Sequence, residues 1–291
     1  MGKRSQVKET GEITLPPQPT ILITGCSSGI GRHCALRLHE EGYRVFATAR
    51  GKADLVELAD AGLDVLYLDY RETDSIQSAF AAVMAQTGGR LDALFNNGAH
   101  AQPGAVEDLP VSALREQFEV NLFGWHELTR LAVPAMRKQG HGRIVHCSSI
   151  LGLVPAPMRG AYVASKYALE GLMLTQRMEL EGSGIHVSLI EPGPVPSRFA
   201  SNALAFARKH IDIENSVHAD AYAKRIAELE AGGTPDDGGR AAGWVLDALR
   251  HALTADRPRP HYLVTRQARI GAFGKWLLPA GFFYRLVARN T

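Results

Sequence analysis

The sequence lacks the features that mark several protein classes. It has only 3 cysteines, an odd number, which excludes a disulfide-stapled secreted domain and suits a reducing compartment. No apolar run reaches the roughly 18–20 residues that a membrane-spanning helix needs. Neither sign of charge dominates: 32 Lys+Arg against 30 Asp+Glu give a net charge of +2, which provides no general reason to expect nucleic-acid binding. The histidines show no ligand spacing such as His-Glu-x-x-His, so we expect no metal site.

What the chain does contain is typical of a large globular protein. Its 291 residues are 45% apolar, which is too high for a disordered chain and enough to build a sizeable core. The 29 glycines have no three-residue period, which excludes collagen. Residues 1–18 are polar, contain prolines and lack the apolar core of a signal peptide. We therefore expect a flexible N-terminal extension and a cytoplasmic protein.

Short apolar runs alternate with longer helical patterns along the chain. This alternation, with short connections, predicts an α/β fold: a doubly wound parallel sheet with helices on both faces, in a single domain. The long helical pattern over Ala113–Gln139 is expected to break or kink at Pro134. The expected strands are Thr20–Thr24, Tyr43–Ala49, Val65–Leu68, Ala93–Phe95, Ile144–Cys147, Val187–Ile190 and His261–Thr265.

A glycine-rich turn follows the first expected strand and opens a helix. Its glycines permit a tight turn, a close approach of the backbone to a phosphate and close packing of the helix on the sheet. The helix N-terminus would direct its free N–H groups at a pyrophosphate. A plain strand-to-helix turn is the alternative, but the flanking strand and helix favour a dinucleotide site. Its candidate contacts are Gly25, Ser27, Ser28, Gly29, Ile30 and Gly31.

The end of the second expected strand distinguishes the two dinucleotides. An acidic residue there would bind the ribose 2′-hydroxyl of NAD(H), but the strand ends in Arg50 and the acid is missing. The guanidinium of Arg50 suits the 2′-phosphate of NADP(H). The alternative for Arg50 is an exposed loop charge, and Arg32 is either a second contact or a solvated helix residue. We expect NADP(H) rather than NAD(H).

Tyr162 and Lys166 are four residues apart and so share one face of an expected helix. A phenol with a pKa of about 10 is a poor base at neutral pH, and a nearby ammonium lowers that pKa. Such a tyrosine can exchange a proton with an alcohol oxygen. Ser149 lies 13 residues before Tyr162, just after a strand, where its hydroxyl would polarise the same oxygen. The neighbouring Ser148 is the alternative serine.

Together these motifs resemble those of the short-chain dehydrogenase/reductase family over roughly residues 19–199, with looser similarity to about residue 265. The resemblance implies a Rossmann-like fold with an NADP-binding catalytic domain at residues 19–267. Within it, residues 198–239 form an insertion between the late strands that we expect to be the substrate lid, and residues 268–291 form an apolar tail.

The resemblance also implies the remaining cofactor contacts. Asp69 matches the acid that contacts the adenine ring, and Tyr70 lies beside it. The segment Asn96–Ala99 is similar to the family's Asn-Asn-Ala-Gly motif with its last two residues exchanged, which makes Asn97 and Gly98 contacts. The loop over the nicotinamide is matched by Pro192, Gly193, Val195 and, where threonine is common, Ser197.

Catalytic roles follow from the same resemblance. Tyr162 is the general acid/base, and Lys166 lowers its pKa and binds the nicotinamide ribose. Ser149 orients and polarises the substrate oxygen, and Asn121 holds a water in a proton relay. Hydride then moves between the cofactor and a carbonyl or carbinol carbon.

The substrate class is implied by a resemblance to one subgroup. The segments Tyr162–Leu172 and Ser188–Val195 are similar to those of retinol and 17β-hydroxysteroid dehydrogenases, which implies a lipophilic alcohol or carbonyl compound such as a steroid, retinoid or long-chain aldehyde. The apolar loop Ile150–Met158 would line the pocket. The alternative is a non-catalytic NADP(H)-binding regulator on the same fold. Since family members commonly form dimers or tetramers, we expect a homo-oligomer built on the long helices Ala113–Gln139 and Tyr162–Glu181.

The C-terminal tail contains an apolar segment, Trp276–Tyr284, that is flanked by Lys275 and Arg285 and is too short to span a membrane. Three roles remain open: a lid over the pocket, an oligomer contact, or a peripheral membrane contact in the interface. We expect the tail to pack on the domain or on a partner subunit.

Overall fold

The computed structural model describes residues 18–232 and 234–289. The expected flexible extension at residues 1–18 therefore lies outside the described residues, apart from Gln18. The strands are β1 (Thr20–Ile23), β2 (Arg44–Ala49), β3 (Asp64–Tyr67), β4 (Ala93–Asn96), β5 (Gly142–Cys147), β6 (Ile185–Glu191) and β7 (His261–Leu263). They form one 7-stranded sheet in the order β3-β2-β1-β4-β5-β6-β7, and every neighbouring pair is parallel.

Helices cover the sheet on both faces. They are α1 (Gly29–Glu40), α2 (Lys52–Asp60), α3 (Thr73–Thr87), α4 (Val111–Phe118), α5 (Gly124–Gln139), α6 (Gly160–Glu179), α7 (Phe199–His210), α8 (Ala219–Glu230), α9 (Arg240–Thr254), α10 (Arg266–Leu277) and α11 (Ala280–Arg289). The strand order runs outward from β1 to β3 and then restarts on the other side of β1. Because parallel crossovers are right-handed, the two directions place their helices on opposite faces. Helix α1 packs against α9, whereas α3 packs against α5 and α4 against α6. The predicted fold class is confirmed.

Burial on both faces explains why the central strands appear in the sequence as unbroken apolar runs. In β1, Ile21, Leu22 and Ile23 are fully buried, and so are Phe46 in β2 and Phe95 in β4. A strand covered by helices on each side needs apolar side chains at successive positions rather than at alternate ones.

Residues 111–139 differ from the single helix that the sequence suggested. Helix α4 passes through a π-helical turn, Glu119–Phe123, into α5, which then continues through Pro134. The predicted break at Pro134 is therefore wrong. The departure from α-helical geometry lies earlier in the chain, at the π-helical turn. π-helical turns inside α-helices occur frequently at functional sites. This one carries Asn121, which is fully buried.

Three helices connect β6 to β7. Helices α7 and α8 pack against each other within the expected insertion at residues 198–239. Helix α9 was not predicted, although Val245, Leu246 and Leu249 are buried at a helical spacing that the sequence displays. It packs beside α1 and against β5 and β6, so it belongs to the sheet layer rather than to the insertion.

The C-terminal tail forms α10 and α11, which contact each other. Helix α10 packs over the turn after β5, and Nζ of Lys275 donates to the hydroxyl oxygen of Tyr167 at 2.9 Å. The tail thus packs on the domain, yet Trp276 is 78% exposed and Phe282 59% exposed. None of the described helices combines the length and apolar character needed to cross a bilayer.

Candidate active site

A cavity of about 650 Å³ opens at the carboxyl ends of the strands. Doubly wound sheets bind ligands in this crevice, next to the point where the strand order reverses, which here is between β1 and β4. The predicted site residues in its wall are Gly25, Ser27, Ser28, Ile30, Arg50, Asp69, Tyr70, Asn97, Gly98, Ser149, Tyr162, Lys166, Pro192, Gly193, Val195 and Ser197. The remaining three, Gly29, Gly31 and Asn121, are not part of the wall.

The glycine turn lets three backbone segments approach one another. Gly25 has a φ of +69°, and a Cβ there would lie 2.5 Å from Cα of Gly98. A Cβ on Gly31 would lie 2.3 Å from the carbonyl oxygen of Gly25, and one on Gly29 would lie 2.5 Å from Cβ of Ser197. Real side chains do not make such contacts, so Gly29 and Gly31 act through packing while Gly25 faces the cavity.

Thr24 and Asn97 hold the turn in place. The backbone N–H of Asn97 donates to Oγ1 of Thr24 at 2.8 Å, and its side-chain amide donates to the Thr24 carbonyl oxygen at 3.0 Å. The N–H of Gly98 donates to the same Oγ1 at 3.1 Å. The hydroxyl of Tyr70 donates to Oδ1 of Asn96 at 2.7 Å. Since that hydroxyl is used inside the protein, Tyr70 contributes its ring to the cavity wall.

Arg50 and Asp69 follow β2 and β3 at one edge of the cavity. Nη1 of Arg50 lies 3.7 Å from Oδ2 of Asp69, and 53% of the Arg50 side chain is exposed, which leaves its guanidinium accessible to a ligand. Asp69 is buried and accepts hydrogen bonds from the backbone N–H and the guanidinium of Arg71. Burial raises the pKa of Asp69, but the hydrogen bonds from Arg71 lower it by more, so the carboxylate remains ionised.

A second guanidinium reaches the glycine turn from a residue that sequence reasoning missed. Nη2 of Arg198 donates to the carbonyl oxygen of Ser27 and to Oδ1 of Asp54, both at 2.6 Å. The only sequence feature that could have identified Arg198 is its position, directly after the loop that was expected to cover the nicotinamide. Arg32 instead forms an ion pair with Glu57 at 2.8 Å, which favours the solvated-residue alternative.

The turn after β5 brings Ser149 next to Tyr162, where its hydroxyl lowers the pKa of the phenol. Oγ of Ser149 also accepts from the N–H of Leu151 at 3.1 Å, which fixes the serine at the start of a short 3₁₀ turn. The hydroxyl of Ser148 donates to Oε1 of Glu170 at 2.5 Å, away from the phenol. This geometry separates the two candidate serines in favour of Ser149.

Lys166 is buried beside the phenol. Its Nζ donates to the carbonyl oxygen of Cys147 at 2.8 Å and lies 4.2 Å from the ring centroid of Trp125 and 5.7 Å from that of Tyr162. Burial lowers the pKa of Lys166 to about 8. The side chain is therefore still mainly a cation at neutral pH.

The pKa of Tyr162 moves in the direction opposite to the one expected. Burial raises it, and the hydroxyl of Ser149 and the charge of Arg159 lower it by less. The loss of hydration outweighs both of these effects on the pKa. The phenol is accordingly protonated at neutral pH.

Asn121 lies behind the cavity wall and positions His100. Its Oδ1 accepts from the backbone N–H of His100 at 3.1 Å, and its Nδ2 donates to the His100 carbonyl oxygen at 2.9 Å. The His100 ring lines the cavity and stacks on Phe206 with the ring centroids 4.1 Å apart. Burial lowers the pKa of His100 to about 4, so this ring is neutral at neutral pH.

The loop after β6 crosses the cavity on fixed anchors. The carbonyl oxygen of Pro192 accepts from the N–H of Ile150 at 3.0 Å, and the N–H of Gly193 donates to Oγ1 of Thr265 at 3.0 Å. A Cβ on Gly193 would lie 2.5 Å from that Oγ1, so the loop packs there without room for a side chain.

A buried cluster of acids and a histidine lies next to the site. Glu170, Glu191 and His261 each place one potential ligand atom within 4.8 Å of the others, the one such group among the described residues. Nδ1 of His261 lies 2.6 Å from Oε1 of Glu191, and the N–H of Tyr262 donates to Oε2 of Glu191 at 2.9 Å. We interpret the group as an ion-pair cluster, and the expectation of no metal site stays a prediction.

Beyond Tyr162, the cavity wall includes Ile150 and Leu151 of the apolar loop that was expected to line it, together with residues that the sequence did not single out. The ring of Phe199 meets that of Tyr162 edge to face, with the centroids 5.7 Å apart. Arg159, Arg225 and Glu228 also line this end. No motif marks these residues, because they meet only when α7 and α8 fold over the strand ends.

The wall fits a nicotinamide dinucleotide. Gly25 and Gly98 pack backbone to backbone, so that a Cβ on Gly25 would lie 2.5 Å from Cα of Gly98, and both line the cavity. A glycine-rich turn that lets the backbone approach a pyrophosphate has this form. Arg50 lies at one end of the cavity, and Tyr162 with Lys166 lies towards the other. The order is that of an adenosine end followed by a nicotinamide end.

Comparison with known proteins agrees with this arrangement. The sequence profile of the family described as short chain dehydrogenase matches residues 19–207. The uncharacterized oxidoreductase YbbO of Escherichia coli (strain K12) is 38% identical over 248 residues, 85% of this chain and 86% of the relative. Human 17-beta-hydroxysteroid dehydrogenase type 1 is 33% identical over 266 residues, 85% and 77% of the two chains. Human retinol dehydrogenase 8 is 36% identical over 197 residues, 64% and 62% of the two chains.

Solved structures give the same result. A short-chain dehydrogenase from Streptomyces avermitilis has a TM-score of 0.73 and 28% identity, over 89% of this chain and 93% of that chain. An actinorhodin polyketide ketoreductase variant with NADPH has a TM-score of 0.63 and 30% identity, over 78% and 88%. The chain is thus an oxidoreductase of the short-chain dehydrogenase/reductase family, acting on CH–OH or C=O groups, in the subgroup of the retinol and 17β-hydroxysteroid dehydrogenases.

Proposed function

We propose that this protein is an NADP(H)-dependent oxidoreductase that interconverts a lipophilic alcohol and its carbonyl compound with Asn121, Ser149, Tyr162 and Lys166. The observation that carries the proposal is that Ser149, Tyr162 and Lys166 line one cavity together with the glycine turn. A pure cofactor-binding regulator would not need these three side chains.

The residues of this chain handle the proton. A bound nicotinamide supplies or accepts the hydride. Tyr162, protonated at neutral pH, donates its proton to the oxygen of a carbonyl substrate, and in the reverse direction it accepts the proton of the alcohol. Ser149 hydrogen-bonds the same oxygen and orients it towards the phenol.

Lys166 and Asn121 support the phenol from behind. Lys166 is held over the Trp125 ring and by the Cys147 carbonyl, so its cation stays beside the phenolate that forms after proton transfer. Asn121 fixes the backbone of His100. Its proposed part in a proton relay through a water rests on the resemblance to the family.

The preference for NADP(H) rests on the guanidinium of Arg50. Arg50 presents an accessible guanidinium after β2, where an acid would favour NAD(H). Arg198, at the glycine turn, is already ion-paired with Asp54 at 2.6 Å. A guanidinium attracts a phosphate dianion more strongly than a hydroxyl.

A lipophilic substrate is supported by the far end of the cavity. Phe199 and Leu151 line it together with Leu229 from α8. The retinol and steroid dehydrogenases among the relatives are named for apolar substrates. Helices α7 and α8 form the lid over this end, and residues of both line it.

Exposed apolar residues support the proposed homo-oligomer, and the cysteines support the proposed cytoplasmic location. The π-helical turn and α6 leave Phe123 52% exposed and Leu172 39% exposed, which supports a homo-oligomer built on these helices. The 3 cysteines are free and buried, which supports a reducing, cytoplasmic compartment.

Helices α10 and α11 form the proposed peripheral membrane contact. Their outward apolar residues include Trp276 and Phe282, at 78% and 59% exposed. Residues 266–289 contain Arg266, Arg269, Lys275, Arg285 and Arg289 and no acidic residue. Apolar side chains with cations alone favour the interface of an anionic bilayer.

Turnover with both cofactors tests the proposal. The purified protein is mixed with NADPH or NADH and with retinal, a steroid ketone or a long-chain aldehyde, and cofactor oxidation is followed by absorbance. We expect NADPH-dependent reduction of at least one carbonyl. NADPH binding without turnover of any carbonyl or alcohol would favour the regulator, and no binding of either cofactor would contradict both.

A further inference from the structure

The end of the cavity beyond Tyr162 carries two arginines that the proton chemistry and the glycine turn do not use. Arg159 immediately precedes α6 and lies three residues before Tyr162. Arg225 lies on α8 and reaches the cavity from the lid. With Glu228 they form what we call the arginine subsite.

Arg159 is held in place with an unsatisfied donor. Its Nε is buried and has no hydrogen-bond partner in the part of the chain that the structure describes. Its backbone is fixed by a bridge to Gly104, whose N–H donates to the carbonyl oxygen of Met158 at 2.9 Å. Met158 has a φ of +59°, the one positive φ among the described non-glycine residues. Such backbone strain costs about 1–3 kcal/mol and clusters at ligand sites.

Arg225 is only half satisfied. Its Nη1 donates to Oε2 of Glu228 at 2.8 Å, while its Nε is buried without a partner among the described residues. The Arg225 side chain is 21% exposed. Two guanidinium groups and one carboxylate leave the arginine subsite with one positive charge in excess.

A buried guanidinium is costly unless its N–H groups and its charge are satisfied. Burial lowers the pKa of Arg159, the charge of Arg225 lowers it further, and the carboxylate of Glu228 raises it by less, so one carboxylate does not compensate the two arginines. Apolar residues such as Phe199 and Leu229 form the wall around them. An anion on an otherwise apolar molecule would fit both parts of this surface.

We propose that the arginine subsite binds a single carboxylate of the substrate, so that the substrate class is a lipophilic hydroxy or oxo acid rather than a neutral steroid or retinoid. The inference rests on the proposed function. A monoanion matches the one excess positive charge, whereas a phosphate dianion would leave surplus negative charge beside Glu228.

Matched acid and ester substrates test the inference. We expect a series of ω-oxo carboxylic acids of increasing length to be reduced with a higher kcat/KM than their methyl esters, by about tenfold or more at the best length. Arg159→Met should lower the ratio of kcat/KM for each acid to that for its ester towards 1, and any effect of the substitution on the phenol of Tyr162 cancels in that ratio. Arg208→Met, an exposed arginine on α7 outside the cavity wall, should retain the full preference.

Two outcomes would overturn the inference and leave the proposed function standing: esters reduced as well as acids by the wild type, or an acid preference unchanged in both Arg159→Met and Arg225→Met. If no carbonyl is reduced, the proposed function fails, and calorimetric titration with decanoate and decanol tests the subsite without turnover. Decanoate binding that exceeds decanol binding and is lost in Arg159→Met supports the subsite. Equal binding of the two overturns it.

Discussion

Burial and the neighbouring Ser149 hydroxyl shift the pKa of Tyr162 in opposite directions. Burial raises this pKa, and the hydroxyl of Ser149 lowers it by less. A protonated phenol can donate to a carbonyl oxygen at once, whereas oxidation of an alcohol requires that it first lose its proton. We therefore expect reduction of a carbonyl to be faster than oxidation of an alcohol near neutral pH.

The proposed preference for NADP(H) over NAD(H) also depends on a single residue, Arg50. Arg50→Asp replaces an accessible guanidinium by a carboxylate, which repels a 2′-phosphate and accepts from a 2′-hydroxyl. NADPH affinity should fall by about tenfold or more, and NADH affinity should rise. Thermal shift with each cofactor at equal concentration measures both. Arg37→Asp, on the exposed side of α1 in an ion pair with Glu40, is the control and should change neither. An unchanged preference in Arg50→Asp would remove Arg50 from the account.

At the scale of elements, two glycines differ in the space around them. Gly25 in the glycine turn has no room for a side chain, whereas Gly171 in the middle of α6 has. Gly25→Ala places a Cβ 2.5 Å from Gly98 at a φ of +69°. We expect it to lower the free energy of unfolding by about 2 kcal/mol or more and to abolish the NADPH-induced thermal shift. The matched control is Gly171→Ala in α6, where a Cβ meets nothing within 4 Å. It should stabilise the protein by about 0.5–1 kcal/mol. Equal effects of the two substitutions in a melting experiment would contradict this account of the turn.

Helices α10 and α11 give the second prediction at this scale. Trp276→Ser with Phe282→Ser removes apolar surface that the fold does not use, so the melting temperature should hold while sedimentation with anionic vesicles is lost. Val217→Ser changes an 85% exposed apolar residue elsewhere and should leave vesicle binding intact. Binding should also weaken with salt. A different outcome would contradict the membrane contact: the wild type does not bind vesicles but forms a dimer, and the double variant does not. The apolar surface of α10 and α11 would then bind a second copy of the chain.

At the scale of the whole molecule, the cluster of Glu170, Glu191 and His261 makes stability depend on pH. Burial, then the charge of Glu191, raises the pKa of Glu170 from 4.5 to about 7. Between these values the folded protein binds a proton that the unfolded chain has released, so stability falls as the pH rises through this range. The hydrogen bond to Glu191 raises the pKa of His261, which acts in the same direction.

Glu170→Gln isolates this effect, since glutamine keeps an acceptor for Ser148 but does not ionise. The melting temperature of the wild type minus that of Glu170→Gln should fall as the pH rises from about 5 to 8. Glu127→Gln, at a half-buried position on α5 away from the cluster, should show no such trend. A difference that stays constant with pH would show that Glu170 does not titrate in this range.

The sequence predicted those parts of the molecule that short segments determine. Strands such as β1 and the turn at Gly25 follow from local apolar runs and glycine spacing, so the sheet and the cofactor end of the cavity could be predicted. The π-helical turn at Glu119–Phe123 could not, because no residue type marks it. Arg159 and Arg225 could not either, since they are 66 residues apart in the sequence and meet only through the packing of α8 over the strand ends.

Turnover by Tyr162→Phe tests the central claim most directly. With a carbonyl that the wild type reduces, kcat/KM should fall by about 10²–10⁴-fold, because phenylalanine cannot donate the proton. The NADPH-induced thermal shift should stay unchanged. Tyr167→Phe, on the same helix but outside the cavity wall, should retain activity. Wild-type turnover in Tyr162→Phe, or loss of its NADPH binding, would contradict the role of Tyr162 as the proton donor.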